Sequence, residues 1–180
     1  CMVSSLRAGL YGHKALFALV TDPHIELPVD PGVLSIARAH MPWTRMMAAG
    51  KATTAAGDLE DLSEYALADQ AHLVLKPAAG FGGAGVVLGW EISQAGWASA
   101  VAKALAAGGH VLQRRLHLPE VVFPTLAPGF PDRSFIADSN PFIVNRKISG
   151  YFLRLSGSGG ITNTAGGAGS VAATFVLPGE

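Results

Sequence analysis

Cysteine is almost absent: the 180-residue chain has one, Cys1. That excludes an internal disulfide framework and a multi-cysteine zinc centre, and a cytoplasmic location is the matching expectation. Charge is scarce as well. Lys+Arg and Asp+Glu number 13 each, so the formal net charge is zero, and charged residues are 14% of the chain. No global field then draws in a polyanion, which argues against nucleic acid and against an anionic membrane surface as partners. No apolar run reaches the ~18 to 20 residues that span a bilayer, and the N-terminus lacks the layout of a signal peptide. The six histidines form no His-x-x-x-His pair, so the simplest helical metal motif is missing too.

What is present is apolar residues, 49% of the chain, and 22 glycines, four of them between positions 80 and 85 and six between 157 and 169. This length and composition suit one substantial core. The most informative stretch runs from His72 to Trp90. An apolar run ends in Lys76-Pro77, a loop follows with Gly80, Gly82, Gly83 and Gly85, and a second apolar run, Val86 to Leu88, comes directly after. The pattern predicts strand, glycine loop, strand, with a lysine at the loop's entrance. Glycines let backbone N–H groups approach an anion closely, so such a loop can cover phosphates. Gly80, Gly82 and Gly85 also spell the G-x-G-x-x-G of dinucleotide-binding folds, but there the third glycine opens a helix, and Gly85 opens an apolar strand. No Gly-Lys-Ser/Thr closes the loop, which excludes a Walker A motif. No His-Arg-Asp or Asp-Phe-Gly follows, which argues against a protein kinase. A glycine-rich hairpin with no ligand is the remaining alternative.

The rest of the chain reads as mixed α/β. Apolar spacing predicts a helix from Leu6 to Val20 that carries Lys14, and a short helix from Pro31 to about Ala39 capped by Asp30. Trp43-Thr44-Arg45 reads as a connector. Asp58 to Ala68 reads as a helix with acidic residues in its first turn, and Ser93 caps a helix to about Ala107 that Gly108-Gly109 ends. His110 to Leu116 reads as a strand. Leu118 to Pro131 reads as an ordered loop or edge segment. Ser134 to Asp138, Pro141 to Val144, Lys147 to Leu155 and Val171 to Leu177 read as strands.

Taken in order, these residues resemble the ATP-grasp superfamily, in its circularly permuted branch of carboxylate-amine ligase-like proteins that includes glutathionylspermidine-synthase-like enzymes. The resemblance covers nearly the whole chain. It rests on His13-Lys14-Ala15, Pro42-Trp43-Thr44-Arg45, Leu75-Lys76-Pro77 with Gly82-Gly83-Ala84-Gly85-Val86, Val111-Leu112-Gln113, Asp138 with Pro141-Phe142, Arg154, and Asn163 before Gly166-Gly167.

The resemblance implies an α+β fold of ATP-grasp type, incomplete in this chain, with ATP between two β-rich lobes. It divides the sequence into a helical segment (1–70), a glycine-loop lobe (71–117) and a second β-rich lobe of the same unit (118–180). Lys14 and Lys76 would reach the phosphates, Gly82, Gly83 and Gly85 would close over them, and the chain from Leu112 to Arg115, with Gln113 at the matched position and Arg114 beside it, would frame the adenine. Arg154 would clamp a phosphate and Asn163 would help hold the acyl phosphate or substrate; without the resemblance, Arg154 reads as a surface ion-pair residue and Asn163 as a turn residue. The implied activity is an ATP- and Mg²⁺-dependent ligase joining a small-molecule or peptide carboxylate to an amine or thiol through an acyl phosphate.

The sequence departs from the family at three places. The acidic residue that grips ribose is replaced by Arg114, which cannot accept a hydrogen bond. Asp138-Ser139-Asn140 lacks a charge that relatives carry. The Glu-x-Asn pair that holds Mg²⁺ is absent, leaving Asp138 as the only carboxylate to nominate for the metal. The permuted order places that pair upstream, so the expectation is that these residues are the C-terminal part of a longer protein, completed by an N-terminal segment or a second chain. The competing expectation is a non-catalytic grasp module that serves as a scaffold for a partner.

Overall fold

The structure, a computed structural model, describes residues 8–124, 129, 131–157, 169–172 and 174. The chain forms two compact units, Cys1–Leu116 and His117–Glu180. Both contain antiparallel sheets, and the helices among the described residues all lie in the first unit, which makes the protein mixed α/β of the α+β kind.

In the first unit the chain opens with two short helices, α1 (Ala8–Tyr11) and α2 (Ala15–Thr21). The continuous helix expected from Leu6 to Val20 is thus interrupted at Gly12-His13, and Lys14 sits at the N-cap of α2 instead of inside a helix. The break has two local causes: the His13 ring Nδ1 accepts the Ala15 N–H (3.3 Å), and the Lys14 N–H goes to the carbonyl of Ala78 (2.8 Å). Helix α3 (Pro31–His40) forms as the sequence predicts. The Asp30 carboxylate accepts the N–H groups of Gly32 and Val33, and Pro31 occupies the first turn, where no N–H is needed.

Strand β1 (Thr44–Met46) replaces the expected connector. Strands β2 (Lys51–Thr53) and β3 (Leu59–Asp61) make a small hairpin, and α4 (Leu62–Ala68) starts only after it. Acidic Asp58 and Glu60 therefore belong to the hairpin, while Asp61 is the residue that caps α4, accepting from Ser63 and Glu64 N–H. After α4 come β4 (Leu73–Pro77), the glycine loop, β5 (Val87–Leu88), α5 (Gln94–Ala107) and β6 (His110–Arg114). The Ser93 hydroxyl accepts the Gly96 N–H to cap α5, and Gly108 at φ +69° lets the chain leave it.

The main sheet has the order β1-β6-β4-β5, all antiparallel. Because β1 pairs with β6, the segment 1–70 shares one sheet with 71–117 and is not purely helical. Side chains alternate across a strand, so Leu73, Leu75 and Leu112 share one face of the sheet. They pack with Leu62 and Ala66 of α4 and with Trp97, Val101 and Ala104 of α5 in the core. Trp97 is fully buried and its indole N–H donates to the Ala66 carbonyl (2.8 Å), so the largest core residue also satisfies its polar atom. Gly89 lies at a close backbone approach, where a Cβ would stand 2.0 Å from the Gln70 carbonyl oxygen.

The second unit is a four-stranded sheet of order β10-β9-β8-β7, built from β7 (Glu120–Phe123), β8 (Arg133–Val144), β9 (Lys147–Ser156) and β10 (Gly169–Ala172). The two short strands expected around Ser139-Asn140 are one continuous β8. Pro141 lies beyond Arg133–Ile136, the part of β8 that pairs with β7, so among the described residues it is paired on one side only, where proline is tolerated. Asn145 and Arg146, at φ 49° and 62°, form the two-residue turn between β8 and β9. Strand β7, last in the sheet order, falls inside the segment read as an ordered loop or edge segment. The expected strand to Leu177 is described only as far as Ala172 and at position 174.

Candidate functional site

The glycine loop joins two paired strands, Val74 opposite Leu88 and Leu75 opposite Val87. No helix begins at Gly85, so the dinucleotide-binding pattern is excluded at this loop. Gly80, Gly82, Gly83 and Gly85 all have positive φ. Gly85 is doubly required, because a Cβ there would also meet Pro77 Cγ at 2.8 Å. Phe81, 83% exposed, stands between the glycines, and its ring passes so close to Gly12 that a Cβ there would contact it at 3.4 Å.

Lys14 ties the loop to the start of α2. Its ammonium group donates to the Gly80 carbonyl (2.9 Å), beside the backbone bond to Ala78. Lys76 lies at the end of β4, where side-chain alternation puts it on the face opposite Leu75 and the core helices. Val74, Val111 and Gln113 share that face through the β4–β6 register, and Thr44 joins them as the register partner of Gln113. Lys76 Nζ donates to Gln113 Oε1 (2.7 Å), Gln113 Nε2 donates to Thr44 Oγ1 (2.9 Å), and the Thr44 hydroxyl donates to the Pro42 carbonyl (2.9 Å).

Burial pushes the Lys76 amine below its ordinary value, and the neighbouring charge of Lys14 pushes it the same way. Among the described residues neither lysine has a carboxylate partner; the ion pairs belong to Arg45, His72, Arg114 and Arg154. Two cations held close without a counterion, under a loop of positive-φ glycines, make an arrangement suited to a polyvalent anion.

Arg114 is not brought to this face. It follows Gln113 in β6, so its side chain points to the α4 side, where the guanidinium pairs with Asp69 (2.6 Å) and reaches the Tyr65 hydroxyl (3.4 Å). His72 Nδ1 meets the other Asp69 oxygen (2.5 Å). Arg114 thus holds the end of α4 to the sheet. Only strand alternation could have separated it from Gln113 in the sequence, and the family pattern overrode that signal.

In the second unit Asp138 and Arg154 are register partners, and Arg154 Nη2 lies 2.5 Å from Asp138 Oδ2 and 3.4 Å from Asn140 Oδ1. Arg154 Nε is buried with no hydrogen-bond partner among the described residues. Asp138, nominated for Mg²⁺, is therefore engaged by a guanidinium, and no group of three His, Cys, Asp or Glu capable of holding a metal occurs among the described residues. These residues do not fit a Mg²⁺ site by themselves. Asn163 lies outside the described residues.

The sequence reading gave no role to Thr21 or Thr44. The Thr21 hydroxyl accepts the Thr44 N–H (3.2 Å), and Arg45 Nη1 donates to the Thr44 carbonyl (2.7 Å), so side chains cover the outer edge of β1. A threonine that meets its glutamine 69 positions away leaves no local signal. Compared with protein-family models and with curated proteins, the chain matches none.

Proposed function

We propose that the first unit binds the phosphates of ATP between Lys14, Lys76 and the glycine loop, as the nucleotide-binding part of an ATP-dependent carboxylate-amine or carboxylate-thiol ligase that works through an acyl phosphate. The observation that carries the nucleotide reading is the pair of lysines without a carboxylate partner among the described residues, Lys76 at the entrance of the glycine loop and Lys14 hydrogen-bonded to its Gly80 carbonyl. Lys76 supplies a charge-assisted bond from a half-buried position, where water competes less for the anion. Lys14 would exchange the Gly80 carbonyl for a phosphate oxygen. Gly82, Gly83 and Gly85, at positive φ and without side chains, let the backbone come close to the phosphates. Gln113 lines the same face with its amide. Arg154 and Asn163 are assigned to the phosphoryl-transfer step by resemblance, and Arg154 must leave Asp138 to serve there. ATP, when bound, would supply the activated phosphoryl group.

Calorimetric titration of the chain with ATP, with and without Mg²⁺, tests this reading. Loss of one charge-assisted contact in Lys76→Met weakens binding by roughly 10- to 100-fold. Affinity should also fall with rising pH, beginning below the ordinary lysine value of 10.5, because the phosphate-binding form of Lys76 is the protonated one and its folded pKa is lowered. Unchanged ATP affinity in Lys76→Met sinks the reading.

The second reading, a non-catalytic scaffold, is favoured by the Asp138–Arg154 pair, which leaves both residues occupied with each other. ADP release from the chain that depends on an added carboxylate and amine would eliminate it.

A further inference from the structure

The polar residues on the Lys76 face form a chain of hydrogen bonds with one direction. Proline has no N–H, and its carbonyl can only accept, so the Thr44 hydroxyl proton is committed to Pro42 O. Thr44 Oγ1 is then an acceptor toward Gln113, which forces the amide nitrogen of Gln113 to face Thr44 and its oxygen to face Lys76. An ammonium group can only donate, so the other end of the chain demands the same amide orientation independently. Thr44 is fully buried and Gln113 is 8% exposed, so water does not compete along the chain. Thr44 is itself anchored, its N–H on the Thr21 hydroxyl and its carbonyl under Arg45.

We propose that Thr44 is a positioning residue: acting through the Gln113 amide, it aims the Lys76 ammonium group and holds it ready for its anionic ligand. The proposal rests on the nucleotide reading only for the identity of that ligand. The physical content is a fixed acceptor. Burial and Lys14, the charged group that bears on Lys76, both favour the neutral amine, whereas an oxygen held 2.7 Å from Nζ favours the charged one. Without Thr44 only the lysine itself holds the amide, and the half-turn that presents its NH₂, which a neutral amine can accept, is no longer opposed from the other end. After that turn the ammonium would face a donor and lose its only side-chain acceptor among the described residues.

The test reads the ligand-free chain by NMR, so it does not depend on ATP. In the unmodified protein, nuclear Overhauser contacts from the Gln113 side-chain NH₂ should go to the Thr44 γ-methyl protons and not to the Lys76 ε-methylene. Contacts to the ε-methylene would show the amide reversed and overturn the proposal with no mutation made. The Lys76 ε-methylene titration is then followed in Thr44→Val and Thr44→Ser. Thr44→Val should shift the Lys76 midpoint further down, and Thr44→Ser, which keeps the hydroxyl, should restore it. A Thr44→Val midpoint equal to that of the unmodified chain, or a Thr44→Ser midpoint displaced like that of Thr44→Val, leaves Thr44 a merely structural residue. Should Thr44→Val not fold, the amide contacts and the Thr44→Ser titration decide the matter. ATP affinity should drop about threefold to tenfold in Thr44→Val. If the unmodified chain binds no ATP, the ligand assignment fails while the amide and titration results still judge the positioning role.

Discussion

The two units solve the problem of covering a sheet in different ways. In the first, helices α4 and α5 lie on one face of the sheet and bury Leu73, Leu75, Leu112 and Trp97. The opposite face of the same sheet carries the polar row Lys76, Gln113 and Thr44. In the second unit only Leu155 and Ser156 are buried among the described residues, and Val122, Phe142, Ile143 and Ile148 are exposed. A sheet with a packed helical layer on one side can hold polar groups in a fixed arrangement on the other, because its backbone is already determined by the core. The second unit offers its Asp138–Arg154 pair on strands with no helix described against them.

The largest expected effect tests whether the core of the first unit is what holds the Lys76 face in place. Trp97→Ala removes the largest side chain of the core and leaves the Ala66 carbonyl without its indole partner. A loss of about 3–5 kcal/mol in denaturant unfolding is expected, concentrated in signals from the first unit. A loss below about 1 kcal/mol would mean that α5 does not organise this sheet.

The same contrast explains what the sequence revealed. Glycine loop, flanking strands and α5 were legible, because Ser93, Gly108 and the apolar runs around Lys76 are local signals that tertiary packing reinforces. β1 was not. Thr44, Arg45 and Met46 have no alternating apolar pattern, and the strand exists because β6 and Thr21 complete its hydrogen bonds from far along the chain. The helix expected from Leu6 broke at Gly12-His13 because Ala78 and Gly80 take up Lys14, which is again a long-range cause. In β8 the sequence predicts a gap at Ser139-Asn140, yet the strand runs through it because β9 pairs with it from Ile136 to Val144, across those residues, while β7 does not. Residue type alone nominates the candidates, and Arg114 is grouped with Gln113 because a family pattern says nothing about which side of a strand each faces.

A smaller effect sharpens the picture of the second unit. Asp138→Asn removes the negative charge opposite Arg154, whose buried Nε has no partner among the described residues. Both side chains are about a third exposed, so screening limits the loss to about 1 kcal/mol. The change should appear in signals from β8 and β9. A gain in ATP-dependent ADP release in this variant would indicate that the pair restrains Arg154, whereas a stability change alone would leave it a structural tie between two strands.

The smallest expected effect separates the two faces of the first sheet. Arg114→Ala breaks the pair with Asp69 at a guanidinium that is 40% exposed, so a loss of roughly 0.5 kcal/mol is expected. Its informative readout is the nucleotide. Arg114 points toward α4 and Lys76 points away from it, so ATP affinity in Arg114→Ala should stay within about twofold of the unmodified chain, a change worth less than RT. Lys76→Met, on the opposite face, should lose at least about tenfold. The two substitutions each remove one cation close to the same two strands, so a uniform electrostatic attraction would weaken ATP in both alike. Equal losses would therefore place the ligand by overall charge, and unequal ones would place it on the face that Thr44, Gln113 and Lys76 share.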